Sequence, residues 1–518
     1  MPRLPPNAAS LGSAIVRTPG LVIGGTSSNA GKTVCTLALL CALRQRGIAT
    51  AAAKVGPDYI DTAFHAAITE RPAANLDAWM CRETAPTPRE RANTAPRPGL
   101  CRIIERMYTP LGTSPPDLLV IEGAMGLYDG GQGGAGSTAR LAAQLSLPVL
   151  LVCNAAGMGQ SVAALISGFL RYGPPQQKVR FLGILCTHVG SAQHAALLRQ
   201  ALAPVVKACG TPLLGLLPRQ GAPDLPARHL GLVQAHEALQ AIEREALANW
   251  FETHCHVDRL LQLLRAPRRK ICSTGSETAA HFFPPRRCYH NKKTRPLLGI
   301  AWDEAFNFCY ADLPALLAEL GARIAFFSPL RDAGPPSGCA GLYFPGGYPE
   351  LHAARLAANA SMRASLQLLA AEGLPMYGEC GGYIYLMQSV RVGDTVHAMC
   401  GLLPRSCTLG QQRAALGYRA GLSLPGWPSP TYNGQKVLWV RGHEFHYARE
   451  DTPPLTQQHS TATASTGTPL WRLYDSRGTF MHDEGCRAGT VAGSWLHCYP
   501  EGARRFWRAW LHTLTSHP

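Results

Sequence analysis

Two doubly wound α/β domains, each built on a parallel sheet, are what this sequence of 518 residues predicts. Three observations lead there. Through the first half, short apolar runs at 21–23, 118–121, 148–153, 181–186 and 212–217 alternate with helix-forming stretches, the βα order of a parallel sheet. From 296 the alternation restarts, with candidate strands at 297–301, 324–327, 342–344 and 375–377. Between the halves, residues 265–295 hold nine Lys or Arg and one acid, Glu277, together with Pro267, Pro284 and Pro285, the composition of a solvated linker. The expected division is a flexible lead over 1–20, a first domain over 21–250 with a surface insertion over 81–100, a basic linker over 251–295 and a second domain over 296–518.

Composition narrows the classes of function. A hydrophobic content of 46% supports full cores, and no apolar run approaches the roughly 20 residues of a membrane span. Residues 1–20 lack the apolar core of a secretory signal. The 17 Cys contain no CxxC pair, so they suit a reducing cytoplasm better than a disulfide framework or a zinc site. The net charge of +16 invites a nucleic-acid reading. Half of it, nine bases less one acid, sits in the linker without zinc-finger or RNP-like spacing, so neither nucleic acid nor membrane is expected as a partner.

The first strand, Leu21-Val22-Ile23, runs into Gly25-Thr26-Ser27-Ser28-Asn29-Ala30-Gly31-Lys32-Thr33, and a helix without Gly or Pro follows as far as Gly47. Strand, Gly-bounded loop and helix opening on Lys-Thr make a phosphate cradle. Loop N–H groups from Gly25 through Asn29, Ala30 and Gly31 face the anion, Lys32 reaches the terminal phosphates, and the Thr33 hydroxyl can ligate Mg²⁺. The loop is one residue longer than the common GxxxxGK[ST] spacing. A second strand over 50–54 leads into Gly56-Pro57-Asp58-Tyr59-Ile60-Asp61, placing Asp58 and Asp61 at a strand's C-terminal end, where parallel sheets bind ligands. The strand Leu118-Leu119-Val120-Ile121 ends in Glu122, the Walker B arrangement for holding Mg²⁺ or its water, and Asp129 follows on the connecting loop.

These residues, taken with Asn75-Leu76-Asp77, the run from Glu122 to Gly130 and Arg228-His229-Leu230-Gly231-Leu232, resemble the cobyrinic acid a,c-diamide synthase family. Its first domain is similar to dethiobiotin synthetase, which shares the lengthened loop and also activates a carboxylate with ATP. The resemblance implies a P-loop NTPase-like synthetase domain with ATP and Mg²⁺ as cofactors. It implies Asp58, Asp61 and Glu122 in metal binding and carboxylate activation, Asp77 as a further metal ligand, and Asp129 with Tyr59 near the substrate. Where the family reads Asn-Arg after Gly-Val-Ile-Leu, this chain has Thr187-His188, so Thr187 falls at the position that reads the nucleotide base.

In the second half, the strand over 375–377 enters Gly378-Glu379-Cys380-Gly381-Gly382-Tyr383, a nucleophile elbow in thiol form. The tight turn lifts Sγ above the sheet and the helix behind it favours the thiolate. Of the 17 cysteines, Cys380 alone has this context. His497, in Ser494-Trp495-Leu496-His497, is the preferred base, ahead of His443 and His446 in Gly442-His443-Glu444-Phe445-His446.

The order Ser328-Pro329-Leu330, Pro345-Gly346-Gly347-Tyr348-Pro349-Glu350-Leu351-His352, elbow, Arg441 to His446 and His497 resembles the class I glutamine amidotransferase domain, in its cobyrinic-acid-synthase variety. That implies a flavodoxin-like domain in which Cys380 attacks the glutamine amide, His497 moves protons, and Gly346 and Gly347 form the oxyanion loop. Tyr499 stands where the family carries a second His. The expected function is ATP- and glutamine-dependent amidation of the a- and c-carboxylates of cobyrinate, with glutamine and a corrinoid as partners; a homodimer is compatible with it. The alternatives are the same chemistry on hydrogenobyrinate or nickel sirohydrochlorin, or a P-loop ATPase switch with a degenerate amidotransferase-like binding domain.

Overall fold

Strand β1 (Gly20–Gly25), buried along its whole length, lies inside a seven-stranded parallel sheet. The others are β2 (Thr50–Val55), β3 (Ala74–Leu76), β4 (Leu118–Glu122), β5 (Val149–Asn154), β6 (Phe181–Val189) and β7 (Leu213–Pro218), in the order β3-β2-β4-β1-β5-β6-β7. Burial on both faces explains why these strands read as continuous apolar runs rather than alternating ones. The computed structural model describes residues 19–87, 98–108, 114–131, 134–174, 177–221, 243–265, 295–428, 437–451 and 467–515. The lead over 1–18, the Arg228 to Leu232 motif and the linker beyond Arg265 lie outside the described residues. The chain falls into two compact units, Met1–Ala78 with Arg91–Cys288, and Trp79–Glu90 with Tyr289–Pro518.

In the first unit, helix α1 (Lys32–Gln45) follows the phosphate loop and is buried over most of its length. Helix α2 (Tyr59–Thr69) opens behind Asp58, whose Oδ1 accepts from the Ile60 and Asp61 N–H groups at 3.0 and 3.1 Å. That cap satisfies two of the donors a helix start leaves open. Next come α3 (Pro98–Tyr108), α4 (Thr138–Gln144), α5 (Ser161–Arg171), α6 (Ala192–Cys209), α7 (Arg244–His254) and α8 (Val257–Arg265). The last two correct the expected linker boundary at 251. Phe251, Cys255, Val257 and Leu260 are at most 4% exposed and belong to the same core as α1. The basic charge downstream had masked this amphipathic pair.

The second unit is built on the sheet β20-β21-β11-β10-β8-β9. Its strands are β8 (Leu297–Ala301), β9 (Arg323–Phe327), β10 (Gly341–Phe344), β11 (Met376–Glu379), β20 (Cys486–Ala488) and β21 (Val491–Ser494); five run parallel and β20 is antiparallel. After β8 the stretch 303–308 forms a turn held by an Asp303–Phe306 bridge, and helix α9 (Leu313–Glu319) follows it. Two further sheets had no counterpart in the sequence reading. One is β13-β12-β14-β17, made of β12 (Ser389–Val392), β13 (Thr395–Ala398), β14 (Ser406–Leu409) and β17 (Ala448–Glu450). The other is antiparallel, β19-β18-β15-β16-β22, from β15 (Ala415–Ser423), β16 (Trp439–His446), β18 (Trp471–Asp475), β19 (Phe480–Glu484) and β22 (His497–Cys498).

The expected surface insertion over 81–100 is also corrected. Its last residues start α3, and the stretch 79–87 packs into the second unit, with Trp79, Met80 and Cys81 each under a tenth exposed. Arg441 of β16, fully buried, holds it there. Its guanidinium donates to Trp79 O (3.1 Å), to Thr84 O (3.0 and 2.8 Å) and to Ala85 O (3.0 Å), and lies 4.6 Å from the Trp79 ring centre. A rigid fork of donors lets one arginine collect carbonyls from several directions. The Pro- and Thr-rich composition looked solvated because the Thr84 and Ala85 contacts to Arg441 are made largely through backbone carbonyls.

Candidate active sites

At the phosphate loop, Gly31 takes φ +90° just before α1, a conformation in which a side chain is strained. A Cβ on Gly25 would come within 3.0 Å of the Lys32 ammonium, so the cradle needs glycine there. Lys32 Nζ donates to the carbonyls of Ser27 (2.9 Å) and Ser28 (3.1 Å), drawn into the concavity of its own loop. An anion in that concavity would be a stronger acceptor than either neutral carbonyl. Below the loop, Thr187 Oγ1 donates to Ala30 O at 2.8 Å, and His188 Nδ1 lies 3.0 Å from the same hydroxyl. Asn154 Nδ2 reaches Asn29 O at 3.4 Å. Thr187 therefore supports the loop from beneath.

Parallel register carries the next residues to the loop. Ile23 pairs with Glu122 between β1 and β4, and Lys54 pairs with Glu122 between β2 and β4. Thr33 Oγ1 donates to Glu122 Oε1 at 2.6 Å, Lys54 Nζ lies 2.6 Å from the same oxygen and ion-pairs with Asp61, and His65 Nε2 is 2.8 Å from Glu122 Oε2. Lys54, Asp61, His65 and Glu122 are each no more than 5% exposed. Burial on its own raises a carboxyl pKa, yet Lys54 first and His65 second hold Glu122 below the usual carboxylate range. For Lys54, burial works against the charged form, but Glu122 and Asp61 outweigh it and its pKa is raised.

The sequence reading did not single out Lys54 or His65. Both lay in view, but only the strand order shows what they face.

Other expected residues lie on the turns around it, and Asp58 is close enough to add to the field that keeps Lys54 charged. Asn75 Nδ2 donates to Gly56 O (2.7 Å) and Asp58 O (3.0 Å), fixing the turn on which Asp58 caps α2 and Tyr59 opens it. Asp77 is buried just after β3. Asp129 Oδ2 accepts from Gly126 N at 2.9 Å, closing its own loop. Among the described residues no three His, Cys, Asp or Glu side chains form a metal-holding group. Hard oxygens do meet at Thr33 and Glu122, which fits Mg²⁺ in the mode where phosphates and water complete the shell.

In the second unit, Cys380 sits at φ +48°, ψ −102°, between β11 and helix α10 (Gly381–Leu386). The glycines around it allow the turn: a Cβ on Gly382 would overlap the Phe344 carbonyl, and one on Gly381 would lie 2.7 Å from Gly347 N. Gly347 thus brings a backbone N–H beside the elbow, while Gly346 abuts the His497 ring. β16 and β22 pair His443 with His497, and their rings stack at 4.8 Å. Tyr310 Oη lies 3.0 Å from His443 Nδ1, and Tyr499 packs edge-on to Tyr310 at 5.1 Å. Burial, then Arg419, lowers His443 to about 3, and burial followed by the two neighbouring imidazoles lowers His497 well below its ordinary value.

The pocket holding Cys380 is lined by Gly347, Glu350, Phe445 and His446, with His446 stacked 4.2 Å from Trp495. One expectation is reversed here. Burial first, and the Glu350 carboxylate next, push the Cys380 thiol up, so without a ligand the thiol form is favoured over the thiolate. A six-residue helix behind it does not offset burial together with the nearby Glu350 carboxylate. Glu350, too, was passed over in the sequence, where it reads as one more letter of a turn motif.

Comparison with known proteins agrees with the two-unit division into a nucleotide-binding domain and an amidotransferase domain. A family model described as the CobQ/CobB/MinD/ParA nucleotide binding domain matches residues 21–233, and one described as the CobB/CobQ-like glutamine amidotransferase domain matches 298–504. The hydrogenobyrinate a,c-diamide synthase of Brucella suis biovar 1 (strain 1330) is 37% identical over 486 residues, 92% of this chain and 98% of that protein. The hydrogenobyrinate a,c-diamide synthase of Rhizobium meliloti (strain 1021) is 35% identical over 485 residues, with the same two coverages. The cobyrinate a,c-diamide synthase of Syntrophotalea carbinolica is 36% identical over 500 residues, 94% of this chain and 98% of its own.

Proposed function

The chain belongs to the hydrogenobyrinate and cobyrinate a,c-diamide synthase family, and on that premise we propose that it amidates the a- and c-carboxylates of a corrin ring with ATP and glutamine, in cobalamin biosynthesis. The observation that carries this reading is that one chain holds both a Lys32–Thr33–Glu122 phosphate site and a Cys380 elbow. Amide formation from a carboxylate is uphill in water, so a leaving group and a free amine must both be supplied.

In the second unit, Cys380 Sγ adds to the glutamine amide carbon, with its proton passing to the imidazole of His497. The Gly347 N–H is suited to the oxyanion. The C–N bond breaks, ammonia leaves with a proton returned by the base, and water cleaves the thioester to glutamate. In the first unit, the substrate carboxylate takes the terminal phosphoryl group of ATP, and ammonia displaces phosphate from the acyl phosphate. Lys32 and the loop N–H groups hold the phosphates, while Lys54 ion-pairs with Asp61 and keeps Glu122 ionised beside them. When bound, Mg²⁺ neutralises phosphate charge, and Thr33 and Glu122 are the side chains best suited to hold it, with Asp58 and Asp77 on adjoining turns. Asp129 and Tyr59 are proposed at the corrin carboxylate and Thr187 near the base.

Relatives of both names match at nearly the same identity, 37% and 36%, so cobyrinate and hydrogenobyrinate are both candidate substrates. Mass spectrometry of each ring incubated with ATP, Mg²⁺ and glutamine tests the proposal. Two successive losses of about one mass unit, the OH-to-NH₂ exchange, are expected on one of them. No change on either would sink it.

A further inference from the structure

Phe308, Tyr348, Phe445, Tyr447 and Ala448 make most of the wall around Cys380, and Glu350 is the one carboxylate in that lining. It stands on the 3₁₀ turn Pro349–His352, directly after the Gly346-Gly347 loop. Its Oε2 is shielded from solvent and has no hydrogen-bond partner among the described residues. An oxygen left this way weakens the fold, because the water it gave up has not been replaced. The same carboxylate opposes ionisation of Cys380, the form that attacks. Taken without a ligand, Glu350 works against both stability and chemistry.

A cation placed on Oε2 removes both penalties. Glutamine carries one cationic group, the α-ammonium, at the end of the molecule away from the amide that Cys380 attacks. We propose that Glu350 receives the α-ammonium of glutamine, selecting it over amides that lack this group and relieving the repulsion on the Cys380 thiolate as it binds. The inference rests on the reading of Cys380 as the glutaminase nucleophile. Burial raises Glu350 to about 7, so near neutral pH the carboxyl is readily ionised by an arriving ammonium. Arrival of substrate would then switch the nucleophile on.

The test uses the full chain and measures ammonia release from glutamine and from 4-carbamoylbutanoate, which is glutamine without the amine. The wild type is expected to prefer glutamine by at least about tenfold in kcat/KM. Glu350→Gln is expected to raise KM for glutamine by about tenfold or more while 4-carbamoylbutanoate turnover rises, because the charge opposing Cys380 ionisation is gone, so the ratio collapses. Iodoacetamide should also alkylate Cys380 faster in Glu350→Gln than in the wild type, because the neighbouring negative charge is gone. A wild type that treats the two amides alike overturns the assignment without any variant. So does an equal loss of both amides in Glu350→Gln and Glu350→Ala. A wild type that releases no ammonia from glutamine overturns the glutaminase reading itself.

Discussion

Lys54 Nζ lies 2.6 Å from Glu122 Oε1, on neighbouring strands whose register pairs these two residues directly. The carboxylate that ends the Walker B strand is thus tied at once to a lysine, to Thr33 at 2.6 Å and to His65 at 2.8 Å. Lys54, whose charged form Glu122 and Asp61 favour, answers two acids.

Lys54→Met should therefore leave Asp61 and Glu122 buried with too little positive charge. Removing one partner of a buried ion pair costs about 3–5 kcal/mol. Urea denaturation should report that loss, and amidation should fall with glutamine and ammonium salts alike. The double variant Lys54→Met/Asp61→Asn should recover part of the stability, since one of the two stranded charges is gone.

Cys380→Ala separates the two sites by function. Glutamine-dependent amidation should vanish, while ammonium salts at alkaline pH still drive product formation. If the ammonia-dependent reaction disappears too, the division of labour between the units is wrong.

Acid sensitivity should come from the stacked histidines. Buried His443 has its pKa lowered from 6.5 to about 3, so between those values the unfolded chain binds a proton that the folded chain refuses. Stability contributed by the neutral ring is full above about pH 6.5 and is lost as pH falls toward 3, with a slope of about 1.4 kcal/mol per pH unit. His497, lowered in the same direction, adds to it. Stability curves across that window should flatten in His443→Gln.

Two glycines predict opposite signs. Gly382→Ala would drive a methyl into the Phe344 carbonyl and should cost more than about 2 kcal/mol, because the backbone on both sides is fixed by the elbow. Gly168, inside α5 with nothing within 4 Å of a built Cβ, should gain about 0.5–1 kcal/mol on mutation to Ala. Thermal melts of the two variants read both.

Arg441→Met should release the stretch 79–87 from the second unit. Its donors reach the carbonyls of Trp79, Thr84 and Ala85, so a side chain of similar length but without donors leaves buried acceptors open, at about 1–3 kcal/mol each. Limited proteolysis should then cut within 79–87, which the wild type should resist.

Much of the site was legible because its chemistry is local. Gly25 to Thr33 and Gly378 to Gly382 specify their turns through glycine at fixed positions, and flanking apolar runs identify the strands that carry them. Glu122 could be read from its place at a strand's end. The helices over 244–265 and the role of 79–87 could not, since a charged neighbour hid one and backbone contacts made the other.

By itself, then, the sequence determined the two parallel-sheet units, the phosphate loop, the thiol elbow and the family they point to. Tertiary structure decided who stands next to whom. That β2 lies beside β4, and not beside β1, is what puts Lys54 on Glu122. Pairing of β16 with β22 stacks His443 on His497, and the turn after Gly347 leaves Glu350 facing Cys380 in one pocket. Short-range motifs are written by steric rules a few residues long, whereas strand order and burial are set by the whole core, and the charges of this enzyme take their meaning from that core.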